Sequence, residues 1–138
     1  MSVVLTVKVF GFPIGTGDFF FSFFSTVAVR LEKEQWGSRF PVIMKELYRG
    51  SVPAEHLRQA EKELSQIRSE LKRFPRSEVV WDYEDRSKQP PWGDNVSETI
   101  RDLSDYFVTS DGKNLLAVMR RAIGAGRALK APVVVESL

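Results

Sequence analysis

Two acidic residues on alternate positions, Asp82 and Glu84, form the chain's best-placed pair of carboxylates. On a β-strand, residues i and i+2 share a face about 6.5–7 Å apart. Carboxylates paired at that spacing can hold Mg²⁺ or exchange a proton with a substrate. Asp85 follows at once and Lys88 lies three residues further on, so a metal-dependent hydrolase using Asp82 and Glu84 is one reading. A nuclease strand of the Asp…Glu-x-Lys kind would look distantly similar. Here, however, Asp85 and Arg86 follow Glu84, the lysine is out of place, and the sequence supplies no further ligands.

Other chemistries have less to work with. His56 is the one histidine, with Glu55 and Arg58 beside it on what should be the wet side of a helix. A Ser-His-Asp site needs its histidine in a cleft between nucleophile and carboxylate. Cysteine is absent, which removes disulfides, thiolate zinc sites, iron–sulfur clusters and cysteine nucleophiles together. Gly11, Gly15 and Gly17 stand between a predicted strand and a predicted helix, where phosphate-cradling loops occur. Their spacing is not G-x-G-x-x-G, no Gly-Lys-Ser/Thr follows, and Asp18 puts a carboxylate where the phosphate would sit. They read as a tight turn. The expectation is no enzyme, no cofactor and no metal centre.

Charge is more informative in its distribution than in its total. Twenty Lys and Arg stand against 18 Asp and Glu, a formal +2, too even for a generic nucleic-acid or membrane binder. Yet residues 78–111 hold nine acids and three bases, a net −6, while the segments on either side are each +4. Within that stretch Glu98, Asp102 and Asp105 are spaced four and three apart, one stripe of a helix opposite Val96, Ile100, Leu103 and Phe107. Trp92 lies in the loop between the acidic strand and the acidic helix. An acidic patch beside an exposed aromatic suits docking on a basic cleft, because charges steer the encounter and the aromatic anchors it. The expected contacts are Asp82, Glu84, Asp85, Asp94, Glu98, Asp102 and Asp105, with Trp92 as the apolar anchor.

The elements that must position these residues follow from periodicity. Ser2–Phe10 reads as a strand, Gly11–Gly17 as a turn, and Phe19–Glu32 as a helix capped by Thr16 or Asp18. That helix is apolar nearly all round, so its Phe19–Phe24 cluster belongs in the core rather than in a ligand box or membrane wedge. Arg39–Arg49 reads as a short helix. The longest helix runs from Pro53 to about Phe74, with Leu57, Ala60, Leu64, Ile67, Leu71 and Phe74 on one seam. A homo-oligomeric scaffold built on that seam is a second alternative, although docking on the chain's own core suits its three heptads better. Glu78–Glu84 alternates like a strand, and Asn95 with Glu98 looks like a capping box opening a helix to Phe107. Thr109–Gly112 is a turn, Leu115–Gly126 lies on a further helix, and Val133–Val135 forms a last strand. The sum is an α+β fold of about three strands and four or five helices in a single domain, residues 1–138. A chain of this size needs no metal or disulfide to fold. Met1–Leu5 has no basic n-region, and glycines, Pro13 and Asp18 break the apolar stretch that follows. This argues against a signal peptide or membrane span and for a cytoplasmic protein.

Five blocks carry a family resemblance: Asp18–Thr26 (DFFFSFFST), Trp36–Pro41 (WGSRFP), Val80–Asp85 (VWDYED), Pro90–Asn95 (PPWGDN) and Tyr106–Gly112 (YFVTSDG). In this order the chain resembles a bacterial polymorphic-toxin immunity family, of the immunity protein 70 type. The C-terminus is the least family-like part, where Gly124-Ala125-Gly126 loosens the last helix. The resemblance implies an antidote encoded beside a toxin, often the C-terminal domain of a contact-dependent growth inhibition effector. Such a protein binds its cognate toxin in the cytoplasm, as a monomer in a 1:1 complex, with no direct contact to nucleic acid or membrane. Many such toxins are nucleases with basic active sites, and the acidic segment would then cover or plug one.

Overall fold

The Val-rich start pairs with the glycine-containing stretch that follows it. The computed structural model describes residues 2–137. Strand β1 (Ser2–Val7) turns at Lys8-Val9, with Lys8 at φ 53°, into strand β2 (Phe10–Thr16). Gly11–Gly17 is therefore a second strand and a helix start, not the expected turn. The hairpin register passes through Gly11 and Gly15 and puts Pro13 on a strand with only one neighbour, an edge where proline's missing N–H is tolerated. Thr16 caps helix α1 (Gly17–Arg30), its hydroxyl accepting from the Phe19 N–H. Strand β4 (Val133–Ser137) returns to pair with β1, and the two-residue β3 (Ser51–Val52) completes an antiparallel sheet of order β2-β1-β4-β3. The fold is α+β, with four strands rather than three.

Val3, Leu5 and Val7 point from β1 into the core, against α1 and helix α4 (Leu115–Leu129). The phenylalanine-rich helix is buried as its composition requires. Phe23 and Phe24 meet edge to face with centroids 5.4 Å apart, and Phe23 meets Phe107 at 5.7 Å and 90°, the geometry favoured by the ring quadrupole. The long helix begins as a 3₁₀ turn (Ala54–His56) and continues as α2 (Leu57–Leu71). Its seam of Leu57, Ala60, Leu64, Ile67 and Leu71 is buried against α4 and the π-helix Val42–Leu47. No seam remains for a second copy, which removes the helix-mediated scaffold. Gly126 does not loosen α4 as expected. A Cβ there would lie 2.6 Å from Leu57 and 2.9 Å from the Ala131 carbonyl, so the glycine lets α4 pack closely on α2 and lead into β4.

Two expected elements do not form. Residues 79–84 make no strand. This stretch is laid along α1, whose polar side chains take the place of a strand partner. Thr26 Oγ1 bonds both the N–H and the carbonyl of Val80, at 3.0 and 3.1 Å. Ser25 Oγ accepts from the Tyr83 N–H, and Arg30 Nε donates to the Glu78 carbonyl. Nor does a helix run from Asn95 to Phe107. Asp102 is extended (φ −141°) and starts the four-residue helix α3 (Leu103–Tyr106). The capping box belongs to Asp102 and Asp105, not to Asn95 and Glu98.

Candidate partner-binding surface

With no strand at 79–84 and no helix from Asn95 to Asp102, the acidic stretch 78–111 is mostly turns and irregular backbone. Where α1 does not hold its backbone, several of its N–H groups are taken up by its own Asp and Ser side chains. Asp82 Oδ1 accepts from the N–H groups of Glu84 and Asp85 at 2.8 and 3.2 Å, and Oδ2 lies 3.4 Å from Lys88 Nζ. Asp82 and Glu84 share no strand face, so the paired-carboxylate geometry of the hydrolase reading is absent. No group of three or more Asp, Glu, His or Cys among the described residues is arranged to hold a metal. Asp85 accepts from the Ser87 N–H and hydroxyl, and these bonds hold its carboxyl below the usual range. Asp102 accepts from the Ser104 N–H at 2.8 Å and from its hydroxyl, while Asp105 accepts from the Asp102 N–H. Asp111, bonded by the Thr109 hydroxyl and then by Lys113, is lowered in the same way.

The eight expected contact residues thus divide. Asp82, Asp85, Asp102 and Asp105 are occupied in shaping loops. Glu84, Asp94 and Glu98 are exposed, and their carboxylates make no hydrogen bond or ion pair among the described residues. Trp92 is 38% exposed. Its indole N–H donates to the Tyr106 hydroxyl at 2.8 Å, and its ring stands at 85° to that of Trp81, centroids 5.4 Å apart. It is both an anchor of its own loop and a surface aromatic.

Two clefts flank this tryptophan loop. One, of about 290 Å³, lies among Phe19, Trp92, Val96, Ile100, Tyr106 and Val108. The other, of about 350 Å³, lies among Arg76, Val79, Pro90, Asp94, Val96 and Tyr106. Burial raises the Tyr106 hydroxyl above its usual pKa; the Trp92 hydrogen bond opposes that, and the Asp94 charge reinforces it. Tyr106 therefore stays a neutral donor and acceptor at the floor of both.

Glu84 stands apart from these clefts. It rims a third hollow, of about 310 Å³, walled by Phe21, Trp36, Tyr48 and Tyr83. Phe21 is thus the one member of the phenylalanine run that lines a surface hollow without being buried. The sequence put Phe21 in the core with the rest of the Phe19–Phe24 cluster and gave the other three rings no place in a site. Among them only Tyr83, between Asp82 and Glu84, has polar neighbours on both sides. The hairpin tip was missed as well: Val9 and Phe10 are exposed there. His56 is exposed, as expected, and pairs with Glu46 at 2.7 Å.

The comparison with protein families gives one finding. The family model described as Immunity protein 70 matches residues 5–135, a span that reaches from β1 to β4 and includes the whole acidic segment. No curated protein and no solved structure matches the chain at a significant level.

Proposed function

The chain belongs to the Immunity protein 70 family, and from that premise we propose that its acidic segment is the surface that engages the cognate toxin. An immunity protein of this family has a protein toxin as its partner. The finer reading is that the toxin is the C-terminal nuclease domain of a contact-dependent inhibition effector, bound 1:1 in the cytoplasm and neutralised without any reaction. A nuclease active site is basic because it holds phosphates, and a surface carrying −6 across residues 78–111 complements it.

The observation that carries this reading is that three carboxylates of the segment, Glu84, Asp94 and Glu98, are exposed and unpaired among the described residues, and that the same segment carries the 38% exposed Trp92. Their charge is not spent inside the molecule. No helix among the described residues is long and apolar enough to cross a membrane.

The test is the pair Asp94→Lys with Glu98→Lys, measured against the toxin domain encoded beside the gene. Neither side chain is used in the fold, so the variant should keep its circular-dichroism melt. Its association rate at low salt should fall about tenfold or more, because opposite charge steers encounter and reversed charge opposes it. An unchanged association rate in the folded variant would refute this placement of the interface. Failure of the wild-type chain to bind that domain would refute the partner.

A further inference from the structure

The hollow beside Glu84 has the construction of a cation receptor. Four rings line it. Trp36 meets Tyr48 edge to face at 4.9 Å and Tyr83 at 5.1 Å, while Phe21 lies nearly parallel to Trp36 at 6.1 Å. Two of the rings are held in place by hydrogen bonds to backbone carbonyls. Trp36 Nε1 donates to the Met44 carbonyl at 2.6 Å, and the Tyr83 hydroxyl donates to the Glu34 carbonyl at 2.5 Å. Tyr48 caps the π-helix Val42–Leu47 and is 45% exposed; π-turns of this kind are frequent at functional sites. Such fixed rings pay little ordering entropy on binding.

Ring faces are the negative end of the aromatic quadrupole and attract cations. At this rim they stand beside a carboxylate, Glu84, with no partner of its own among the described residues. The field of Glu84 reaches into the box: burial raises the Tyr48 hydroxyl above its usual pKa, and the Glu84 charge adds to it. The cation–π contact found among the described residues is Arg39 over Phe40, so none of the chain's own cations is found over these rings. Arg86, the base nearest to Glu84 in sequence, is turned to Glu34 at 3.3 Å.

We propose that Phe21, Trp36, Tyr48 and Tyr83 with Glu84 form a receptor for one arginine side chain of the partner protein. Aromatic faces and a carboxylate together select a guanidinium, because it stacks on rings and offers a carboxylate two parallel N–H donors. An ammonium satisfies the charge but not the plane. The identity of the partner rests on the toxin-binding reading above; the chemistry of the box does not.

The test uses N-acetyl-arginine methylamide as probe on the whole chain, read by the Trp36 indole N–H resonance, which is assigned from Trp36→Phe. Saturable shifts with a Kd of about 1–10 mM are expected, the strength of one cation–π contact plus one exposed ion pair. The neutral citrulline analogue should bind at least fivefold more weakly, and the lysine analogue more weakly than arginine. Glu84→Gln should weaken the arginine probe about fivefold, and Tyr48→Leu, on the exposed wall, by more. No saturable shift up to about 50 mM, or equal binding of citrulline or lysine, overturns the proposal. So does an arginine probe that moves the indoles of Trp81 and Trp92 while leaving Trp36 unmoved. These failures would leave toxin binding intact, whereas a toxin that ignores this protein would leave the small-probe result standing.

Discussion

The sheet-and-helix frame and the acidic segment satisfy their backbones by opposite means. In the frame, ladders and helices use the N–H and C=O groups, and the buried carboxylates reach across space to close gaps. Glu32, 2% exposed, accepts three N–H groups, from Gly37, Arg39 and Phe40 at 2.9–3.0 Å. Glu63, 3% exposed, reaches from α2 to the N–H groups of Val42 and Ile43 at the start of the π-helix, the end of a helix where a negative charge is favoured. In the acidic segment the carboxylates reach N–H groups only two or three residues away, within turns. The difference teaches that a high local density of Asp has two sources, scaffolding and function. Only the carboxylates left without a donor are available to a partner.

The largest expected effect breaks the frame's side of that contrast. Glu32→Ala leaves three N–H groups, two of them on residues that are themselves buried or half-buried, without their acceptor; it should cost about 3–5 kcal/mol in urea denaturation. Glu98→Ala in the acidic segment should leave the unfolding midpoint where it is. Equal losses would mean that the unpaired carboxylates are structural after all. Next in size is Gly126→Ala. The added methyl meets Leu57 at 2.6 Å and backbone at 2.9 Å, and overpacking of this kind costs about 1–3 kcal/mol, seen as a lower Tm.

The same contrast explains what could be read from the sequence. The helices with a clean apolar stripe were legible: α1, α2 and α4 follow the spacing of their Phe, Leu, Ile and Met residues, and β1 and β4 follow their valines. The family was legible through five dispersed blocks, not through any chemical motif. Alternation at Val79–Glu84 misled because a strand also needs a neighbour to pair with, and this stretch lies instead on α1, where the Thr26 and Ser25 side chains take its backbone groups. Ser25 and Thr26, polar yet buried in a phenylalanine-rich helix, were the sign that some other backbone would dock there. Helical spacing at 96–107 misled because Asp102, Ser104 and Asp105 compete locally for backbone N–H groups and so restart the helix. Glu63 could have been found: it sits at the three-and-four spacing of Ala60 and Ile67, inside the buried seam. The aromatic box could not, since its four rings come from four separate stretches.

A smaller effect separates scaffolding from function within the acidic segment. Asp102→Ala removes the cap and should cost about 1 kcal/mol. Asp102→Asn keeps a capping oxygen and removes the charge, so its melt should stay near wild type. Its association rate with the toxin should change less than that of Asp94→Lys with Glu98→Lys. A stable Asp102→Asn that binds as poorly as the double reversal would move Asp102 from scaffold to contact.

The smallest effect tests whether the frame's surface charges really come in pairs. Arg39 grips Glu70 through two bonds at 2.6 and 2.7 Å, Arg127 meets Glu61 at 2.7 Å, and His56 meets Glu46 at 2.7 Å. The Glu46 hydrogen bond, and then its charge, raise the His56 pKa above its ordinary 6.5. A raised folded-state pKa means that the protonated form is favoured by folding. The stabilisation is therefore complete below the unfolded value and fades as pH rises through the folded one. His56 is fully exposed, so the stability change between pH 5 and 8 should be slight, and the clean readout is its ring-proton titration by NMR. The midpoint should lie above 6.5 in the wild type and return toward 6.5 in Glu46→Gln. A wild-type midpoint already at the ordinary value would mean that exposed charges on the frame are as unpaired in solution as Glu84, Asp94 and Glu98.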